Sequence, residues 1–549
     1  MDTQRLILLF IFSFSLLMLW EAWDKQGRPK PAAPAATVQQ GVPAPVKPGA
    51  DAATAKPAGA VPGGDATAKG ETVRITTDLL VAEVDTLGGT LKRVELLQHK
   101  DSKDPTKPFV LLGAEHRYEA QSGLAGEAGP NHRTLWRAEP GERALAPGRD
   151  TLEVRLSAPG KDGLEVSKIY RFKRDSYVID VALEIRNSAA APAATYAYFQ
   201  LTHDGTPDTP TNSIAATFGA QSFIGFGVYT EERAFQKVHL SDLDKSKSDH
   251  VRQAADGWLA FVQHYFVSAW LAPQGVQRDY VTEKRQDGTY AARVMVPASV
   301  APGGTVLVSA PLYAGPQEQR RLRAAAPGFD LVVDYGFLAI IAWPLFWLLE
   351  KFHALSGNWG VAIILLTVLI KIIFFPLSAA SYKSMAKMKL VTPRLTKLRE
   401  QYSNDRQKMN QAMMELYKTE KINPLGGCFP ILVQIPVFIA LYWVLLAAIE
   451  LRHAPFILWI KDLAALDPYY VLPLLMAGTM VLQTRMNPVP PDPVQAQVMK
   501  FMPYVFSIFF FFFPAGLVLY WLVNNILSIL QQWQIQRMFD RDKPAHAKR

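Results

Sequence analysis

The sequence contains a single cysteine, few charged residues for its length, and none of the short motifs that mark nucleotide-hydrolysing or metal-dependent enzymes. Cys428 has no second cysteine to pair with, so any domain outside the cytoplasm must be stable without intrachain disulfides. Charged residues make up 19% of the 549 residues, below the roughly 25% usual for soluble proteins. There is no GxxxxGKS or GxxxxGKT loop, no HExxH and no paired CxxC. The sequence therefore predicts no enzyme, no cofactor and no metal site.

Hydrophobic residues, 49% of the total, are concentrated at the two ends of the chain. Residues 71–326 have the composition of a soluble domain, whereas residues 335–533 have that of a membrane protein. The net charge of +9 does not require nucleic acid, because membrane proteins gather Lys and Arg on their cytoplasmic side. We therefore expect the phospholipid bilayer, and not DNA, to be the surrounding partner.

The N-terminal apolar stretch, Leu6 to Trp23, is about one membrane width long. It would be either a cleaved signal peptide or an uncleaved anchor. No small-residue cleavage site follows it directly, which favours a signal-anchor helix within residues 1–26. Residues 27–70 are dominated by Pro, Ala and Gly, and are predicted to be a linker.

Residues 71–326 contain many short β-branched and aromatic runs that alternate in polarity. Examples are TLEVRLSAP at 151–159 and GGTVLVSAPLYAGP at 303–316, each bounded by Gly, Pro, Asn or Asp. Many short strands over about 250 residues are typical of a β-sandwich.

The second half contains apolar segments at 358–377, 428–449, 469–483 and 498–530. Residues 378–421 carry ten Lys/Arg against four acids, so the positive-inside rule makes this loop cytoplasmic. The loop at 450–467 carries two Lys/Arg and three acids, which fits a position on the outside of the membrane.

The basic C-terminal tail, 534–549, is also expected inside. The block 498–530 must then cross twice, folding back at Pro514. The fold class is therefore a multidomain membrane protein of six spans, five of them forming a core at 357–533. Both termini would be cytoplasmic, and residues 71–326 periplasmic.

The apolar run from Tyr335 to Leu349 is a further span candidate, with fifteen residues including Pro344. If it crossed, the basic loop would lie on the wrong face. We therefore interpret residues 327–356 as a helix lying in the membrane interface.

Lys371 lies within the apolar segment TVLIKIIFF, thirteen residues after Asn358. A charge near the bilayer centre costs roughly 2.5–3.5 kcal/mol. Its long stem would reach the interface beyond Leu377 by snorkelling, or the charge would lie in a hydrated cavity open to the cytoplasm. The other spans have no interior acid to pair with it, which favours the cavity.

Other polar residues in the apolar spans support a cavity. Thr367 precedes Lys371 by four residues and shares its helix face. Gln434 lies in the next span between two prolines, and Asn524 and Asn525 lie in the last. Each alone is more typical of an interhelical hydrogen bond; together they make the cavity a working hypothesis.

The cytoplasmic loop 378–421 shows helical periodicity on both sides of Ser403-Asn404-Asp405, which is predicted to form a turn and a helix N-cap. This predicts an antiparallel helical hairpin with a Met-rich seam. Either the two helices pack on each other, or the methionines accept varied apolar partners. The seam consists of Met385, Met388, Val391, Leu395, Leu398, Tyr402, Met409, Met413 and Leu416. His203-Asp204 and His264 in the β region are interpreted as ordinary surface or strand residues.

Four stretches resemble the YidC family of bacterial inner-membrane protein insertases. They are GNWGVAIILLTVLIKIIFFPLSAASYKSMAKM (357–388), ELYKTEKINPLGGCFPILVQIPVFIALYWVL (415–445), APFILWIKDLAALDPYYVLPLLM (454–476) and FFPAGLVLYWLVNN (512–525). With the N-terminal anchor and β region, the resemblance covers nearly the whole chain. It implies a periplasmic β-sandwich of sugar-binding ancestry and the insertion of nascent membrane proteins without ATP.

The resemblance also implies a substrate groove. The family's groove cation is usually arginine, and the matching residue here is Lys371, which keeps the charge but loses the planar fork of donors. Thr367 matches a substrate-contacting position, Gln434 lies in a family-specific segment, and Tyr520 and Trp521 match an aromatic pair of which either would face the groove. Implied partners are the Sec translocon with its accessory membrane subunits, the ribosome and the signal recognition particle pathway.

Two other functions fit parts of the sequence. A transporter or channel would use the β domain to capture a solute, but would require several intramembrane polar partners and an internal repeat. A membrane-anchored enzyme of carbohydrate chemistry would have no use for an unpaired intramembrane lysine or a basic hairpin.

Overall fold

The computed structural model describes residues 69–101, 104–126, 129–207, 223–402, 405–420, 429–487 and 493–541. The predicted signal anchor, nearly all of the linker, Cys428 and the end of the basic tail lie outside these ranges.

The first part of the described chain is rich in β-strands. They are β1 (Thr72–Thr76), β2 (Leu80–Asp85), β3 (Thr90–Lys100), β4 (Pro108–Leu112), β5 (Glu119–Leu124), β6 (Arg137–Ala138), β7 (Thr151–Pro159), β8 (Leu164–Lys173), β9 (Val178–Asn187), β10 (Ala193–His203), β11 (Gly225–Thr230), β12 (Ala234–His239), β13 (Gln253–Ala254), β14 (Trp258–Val262), β15 (Phe266–Trp270), β16 (Arg278–Lys284), β17 (Tyr290–Val300), β18 (Thr305–Ser309) and β19 (Leu312–Pro316).

These strands form two antiparallel sheets. One follows the order β1-β2-β3-β5-β10-β17-β16-β13, with β4 beside β3; the other follows β12-β11-β14-β15-β19-β9-β8-β7-β6, with β18 beside β9. Alternate residues of β9, such as Ile179 and Val181, are fully buried, as are Phe199 and Leu201 of β10. These residues belong to one apolar core that both sheets share. The period-two pattern of the sequence therefore gives β9 one buried face, whereas β10 is buried on both faces from Ala197 to His203.

The rest of the described chain is mainly helical. The helices are α1 (Leu240–Leu243), α2 (Gln319–Ala325), α3 (Ala339–Ser356), α4 (Trp359–Ile373), α5 (Phe375–Gln401), α6 (Arg406–Thr419), α7 (Phe429–Ala447), α8 (Val471–Met486), α9 (Pro493–Phe509) and α10 (Ala515–Arg541). The prediction of a β-rich domain followed by a helical region is confirmed.

Helices α4 and α5 are separated by a bend of 66°. Pro376 is in the first turn of α5, where a proline is tolerated but cannot donate the backbone hydrogen bond that would continue α4. Within the ranges given above, no single helix has the length and mean hydropathy of a membrane span, whereas α4 and α5 together meet both criteria.

The apolar block 498–530 is divided near Pro514. Helix α9 ends at Phe509, a short 3-10 turn covers Phe510–Phe512, and α10 starts at Ala515. The chain therefore breaks at the position where the sequence predicts a fold-back.

Helices α5 and α6 are joined by a small apolar cluster. Val391 and Leu395 are buried in it. The residues packed against them are Met388, Met413, Leu416 and Tyr417. Asp405 caps α6 by accepting hydrogen bonds from the backbone N–H groups of Gln407 and Lys408. Two of the seam methionines, Met388 and Met413, thus lie in the contact between the two helices.

The β-rich domain contacts the segment that follows α7. The Arg452 guanidinium lies 5.5 Å from the ring centroids of Phe109 and Phe266 and donates a 2.6 Å hydrogen bond to the Lys100 carbonyl. His264 Nε2 donates to the Leu446 carbonyl at 3.1 Å. His264 therefore joins the two parts of the chain.

Candidate functional site

Helix α4 lies in the first predicted core span and carries Thr367 and Lys371, the two residues that the sequence singles out there. Thr367 and Lys371 are one helical turn apart and are only 1% and 7% exposed. The Thr367 hydroxyl donates to the Ile363 carbonyl at 2.7 Å, within its own helix. The Lys371 amine donates to the Ser528 hydroxyl at 2.7 Å. Lys371 is therefore turned toward α10.

Helix α10 presents Tyr520, Asn524 and Ser528 at intervals of four residues, so they share one face. The Ser528 hydroxyl donates to the Asn524 carbonyl at 2.7 Å and accepts from Lys371. In the part of the chain that the structure describes, no carboxylate lies within ion-pair distance of Lys371. The partner of the amine is thus a neutral hydroxyl.

Helix α7 adds Gln434 to the same group. Its side-chain amide donates to the Asn524 side-chain carbonyl at 2.8 Å, and the Tyr520 hydroxyl lies beside it. Gln434 is two residues before Pro436, which lies inside α7. Asn524 and Ser528 therefore link Lys371 of one helix to Gln434 of another.

The two aromatic residues of α10 both contact Phe438 of α7 but differ in exposure. Tyr520 is 1% exposed and stacks on Phe438, with centroids 6.1 Å apart. Trp521 is half-buried and contacts Phe438 edge-on at 4.3 Å and Phe510 at 5.5 Å. The structure thus brings Lys371, Gln434 and Tyr520 together through α10, while Trp521 contacts the aromatic segment after α9.

Sequence reasoning missed Ser528. The spacing could have identified it, because it follows Asn524 by four residues and must share its face. Asn525, which the sequence did single out, donates to the Thr479 hydroxyl of α8 at 2.9 Å. Helix α10 therefore makes side-chain hydrogen bonds to α4, α7 and α8.

The loop between α7 and α8 organises the ends of three helices. Asn358, the N-cap of α4, donates to the Phe456 carbonyl at 2.9 Å. The N–H groups of Ala515 and Gly516, at the start of α10, donate to the Ala465 and Leu463 carbonyls. Helix N-termini have N–H groups without intrahelical partners, and this loop supplies acceptors for those of α10.

Asp467 fixes α8, the third of these helices, to the loop. The sequence did not identify Asp467 as a structural residue. It is 2% exposed. Its carboxylate accepts from the Trp459 indole at 3.0 Å, from the Tyr469 N–H at 3.1 Å and from the Leu472 N–H at 2.7 Å. Leu472 is in the first turn of α8, so Asp467 ties α8 to the loop.

His203 and Asp204 of the β-rich domain have local partners. His203 is fully buried and stacks on Phe261 at 4.3 Å. Possible metal-ligand atoms of His116, His203 and Asp204 lie within 4.8 Å of one another. However, His203 Nδ1 accepts from the Gly205 N–H at 2.8 Å, and Asp204 accepts from the Thr206 N–H at 2.8 Å. These contacts are typical of a strand end.

We expect acid to destabilise the β-rich domain through His203. Burial lowers the pKa of His203 from its ordinary value of 6.5 to about 4. The unfolded chain takes up a proton near pH 6.5, whereas the folded chain resists it to about pH 4. The contribution of His203 to the free energy of unfolding is therefore fully present above pH 6.5. It falls as pH decreases, and about 2 kcal/mol is lost by pH 5.

Thermal unfolding of the detergent-solubilised protein at pH 7.5 and pH 5 checks this expectation. His203→Gln should make the melting temperature less dependent on pH, whereas His239→Gln, at an exposed histidine, should not. Equal pH dependence in the two variants would refute the assignment to His203.

Comparison with known proteins gives matches along nearly the whole chain. A family model described as 60Kd inner membrane protein matches residues 351–543, and one described as YidC periplasmic domain matches residues 72–348. The membrane protein insertase YidC of Methylobacillus flagellatus is 51% identical over 549 residues, covering 98% of each chain. That of Aromatoleum aromaticum is 52% identical over 548 residues, covering 99% of each.

A solved structure of an active YidC insertase, with its first transmembrane domain resolved, is also similar. It shares 17% identity, covers 84% of this chain and 94% of its own, and has a TM-score of 0.40.

Proposed function

Because the chain belongs to the YidC family of membrane protein insertases, and is a multi-pass inner-membrane insertase acting on nascent membrane proteins, we propose that Lys371 forms the positive end of its substrate groove. The family is not a family of enzymes, and insertion here is a physical process. The groove consists of Lys371, Thr367, Gln434, Tyr520 and Trp521, is open to the cytoplasm and to lipid, and acts without ATP.

The proposed topology follows from charge and apolar length. Residues 71–326 are the periplasmic domain, 327–356 the interfacial segment and 357–533 the insertase core, with both termini cytoplasmic. The core crosses five times after the N-terminal anchor, for six spans in all. The cytoplasmic hairpin is 378–421, whose excess of Lys and Arg supports its side of the membrane.

The observation that carries the proposal is the environment of the Lys371 amine. The amine is buried, yet its partner among the described residues is the neutral Ser528 hydroxyl. A hydroxyl satisfies one donor of an ammonium group without cancelling its charge. The positive charge is thus available to an acidic residue of a substrate. Hydration of the remaining donors stays a prediction.

The energy of this attraction is comparable to the cost of moving one charged side chain across the bilayer. Two opposite charges about 4 Å apart attract by about 1–4 kcal/mol between water-like and surface-like dielectric constants. Carrying one charged side chain across the bilayer centre costs roughly 2.5–3.5 kcal/mol. One cation therefore offsets much of the cost for one acidic residue, with no chemical energy source.

An apolar depression of about 370 Å³ on α8 supports a path for the hydrophobic part of the substrate. Its lining residues are Val471, Leu474, Leu475, Gly478, Thr479 and Leu482. Thr479 also accepts the hydrogen bond from Asn525 of α10, so the apolar lining adjoins the polar residues of the bundle. An apolar segment lies against α8 in this proposal, while its polar flank enters the groove.

We further propose that the chain works alone or beside the Sec translocon and its accessory membrane subunits. The basic hairpin and tail supply the charge for contact with the ribosome, as in delivery by the signal recognition particle. Family membership favours this role over solute transport.

Photocrosslinking to a ribosome-stalled nascent membrane protein tests the groove. We expect a photoreactive amino acid in place of Thr367 or Trp521 to crosslink strongly to the nascent chain. The control is Ile526 of the same helix α10, which is 40% exposed and lies away from Tyr520, Asn524 and Ser528. Crosslinking that is equal at Ile526 and at the two groove positions would refute the proposed path.

A further inference from the structure

We propose that Ser528 is the positioning residue that holds the Lys371 amine inside the bundle and so makes insertion selective for substrates with acidic flanks. This inference rests on the proposed groove function of Lys371. Ser528 needs no contact with the substrate, because it acts through the amine.

The hydrogen-bond directions at Ser528 are fixed by its two contacts. Its single hydroxyl proton is donated to the Asn524 carbonyl at 2.7 Å. The oxygen lone pairs are therefore left to accept from the Lys371 amine, also at 2.7 Å. Ser528 is 6% exposed, and the Tyr382 side chain of α5 lies beside it. The acceptor is thus orientated toward Lys371 before any substrate binds.

A lysine in this position needs such an anchor. Its ammonium is a point charge on a flexible four-carbon stem, without the planar fork by which an arginine fixes its own orientation. Lys371 is also near the end of α4, which stops at Ile373. Without an acceptor in the bundle, the stem is free to extend toward the cytoplasmic interface. The charge would then lie outside the groove.

A hydroxyl partner also leaves donors of the Lys371 amine for a substrate carboxylate. An ammonium group has three donors, of which Ser528 takes one. A substrate carboxylate can accept from the others, since no carboxylate of the described chain occupies them. A carboxylate at position 528 would hold the amine but would cancel its charge. A serine at position 528 therefore holds the cation and leaves its charge able to attract an acidic residue of the substrate.

The test compares two substrates that differ only in their translocated flank, one acidic and one neutral, inserted by the full-length protein in proteoliposomes. Ser528→Ala should lower the ratio of acidic-flank to neutral-flank insertion about fivefold. Ser528→Thr keeps a hydroxyl that bonds the same carbonyl and should restore the ratio. Adding Ser528→Ala to Lys371→Ala should produce no further loss of selectivity.

A closely matched control is Ser507 of α9. It is also buried, at 7% exposure, and donates to the carbonyl four residues before it, that of Pro503. Its second contact among the described residues is the uncharged Met480 sulfur at 4.0 Å. Ser507→Ala should leave the ratio unchanged. A similar ratio in the Ser528 and Ser507 variants would overturn the positioning role. If Lys371→Ala lowers the ratio while Ser528→Ala does not, this inference alone fails; if neither lowers it, the proposed function fails too.

Discussion

Lys371→Ala is expected to reduce insertion of a substrate with an acidic translocated flank about tenfold, because it removes an attraction of about 1–4 kcal/mol. Lys371→Arg is expected to keep most of this activity, since arginine retains the charge and adds donors. A substrate with a neutral flank should be inserted almost equally well by the original protein and by both variants. The effect is therefore specific to the charge of the substrate.

Insertion into proteoliposomes, scored by protease protection of the translocated flank, measures this effect. The neutral-flank substrate shows whether a variant is folded and active. If all three proteins insert the acidic-flank substrate to the same extent, Lys371 has no electrostatic role. If Lys371→Ala fails with both substrates alike, the lysine is required for the structure of the bundle.

The general architecture could be predicted because it depends on patterns that are local in the sequence. Alternation over segments such as 178–187 predicts strands with one buried face, and β9 has that pattern of burial. Long apolar segments predict helices, and a proline such as Pro514 predicts where one must break. These signals require no knowledge of which element packs on which.

Part of the candidate site was also predictable. The four-residue spacing places Thr367 and Lys371 on one helix face, and both are buried. The choice between Tyr520 and Trp521 was left open, because adjacent residues on a helix differ by about 100° and the sequence does not set the rotation of α10. In the structure Tyr520 lies beside Gln434, and Trp521 contacts Phe510.

The spacing places Ser528 on the same face as Asn524, but it does not reveal the bond to Lys371, because a serine in an apolar helix usually donates to a carbonyl of its own helix. Its second contact depends on the packing of α10 against α4. Asp467 was missed for a related reason. Charge counting treated it as one acid among three in an exposed loop, whereas the structure buries its carboxylate among three donors.

Asp467→Ala is expected to be the most destabilising single change in the loop between α7 and α8. It leaves the Trp459 indole and the N–H groups of Tyr469 and Leu472 without their acceptor. A buried donor left unpaired costs about 1–3 kcal/mol. The Leu472 N–H is buried and the other two donors are partly buried, so the loss should be about 3 kcal/mol. Helix α8 should lose protection at its first turn, and the loop that also contacts the starts of α4 and α10 should loosen.

Asp462→Ala is the matched control in the same loop. The Asp462 carboxylate pairs with His453 at 3.1 Å and accepts from the Ala464 N–H at 2.8 Å, but its side chain is 21% exposed. Water can replace these contacts, so its removal should lower the melting temperature much less. Thermal unfolding in detergent, with hydrogen exchange at residues 471–476, compares the two variants. Equal melting temperatures, or unchanged hydrogen exchange in Asp467→Ala, would contradict a role for Asp467 in fixing α8. The positions of Tyr520 and Ser528 would then depend on contacts within the bundle alone.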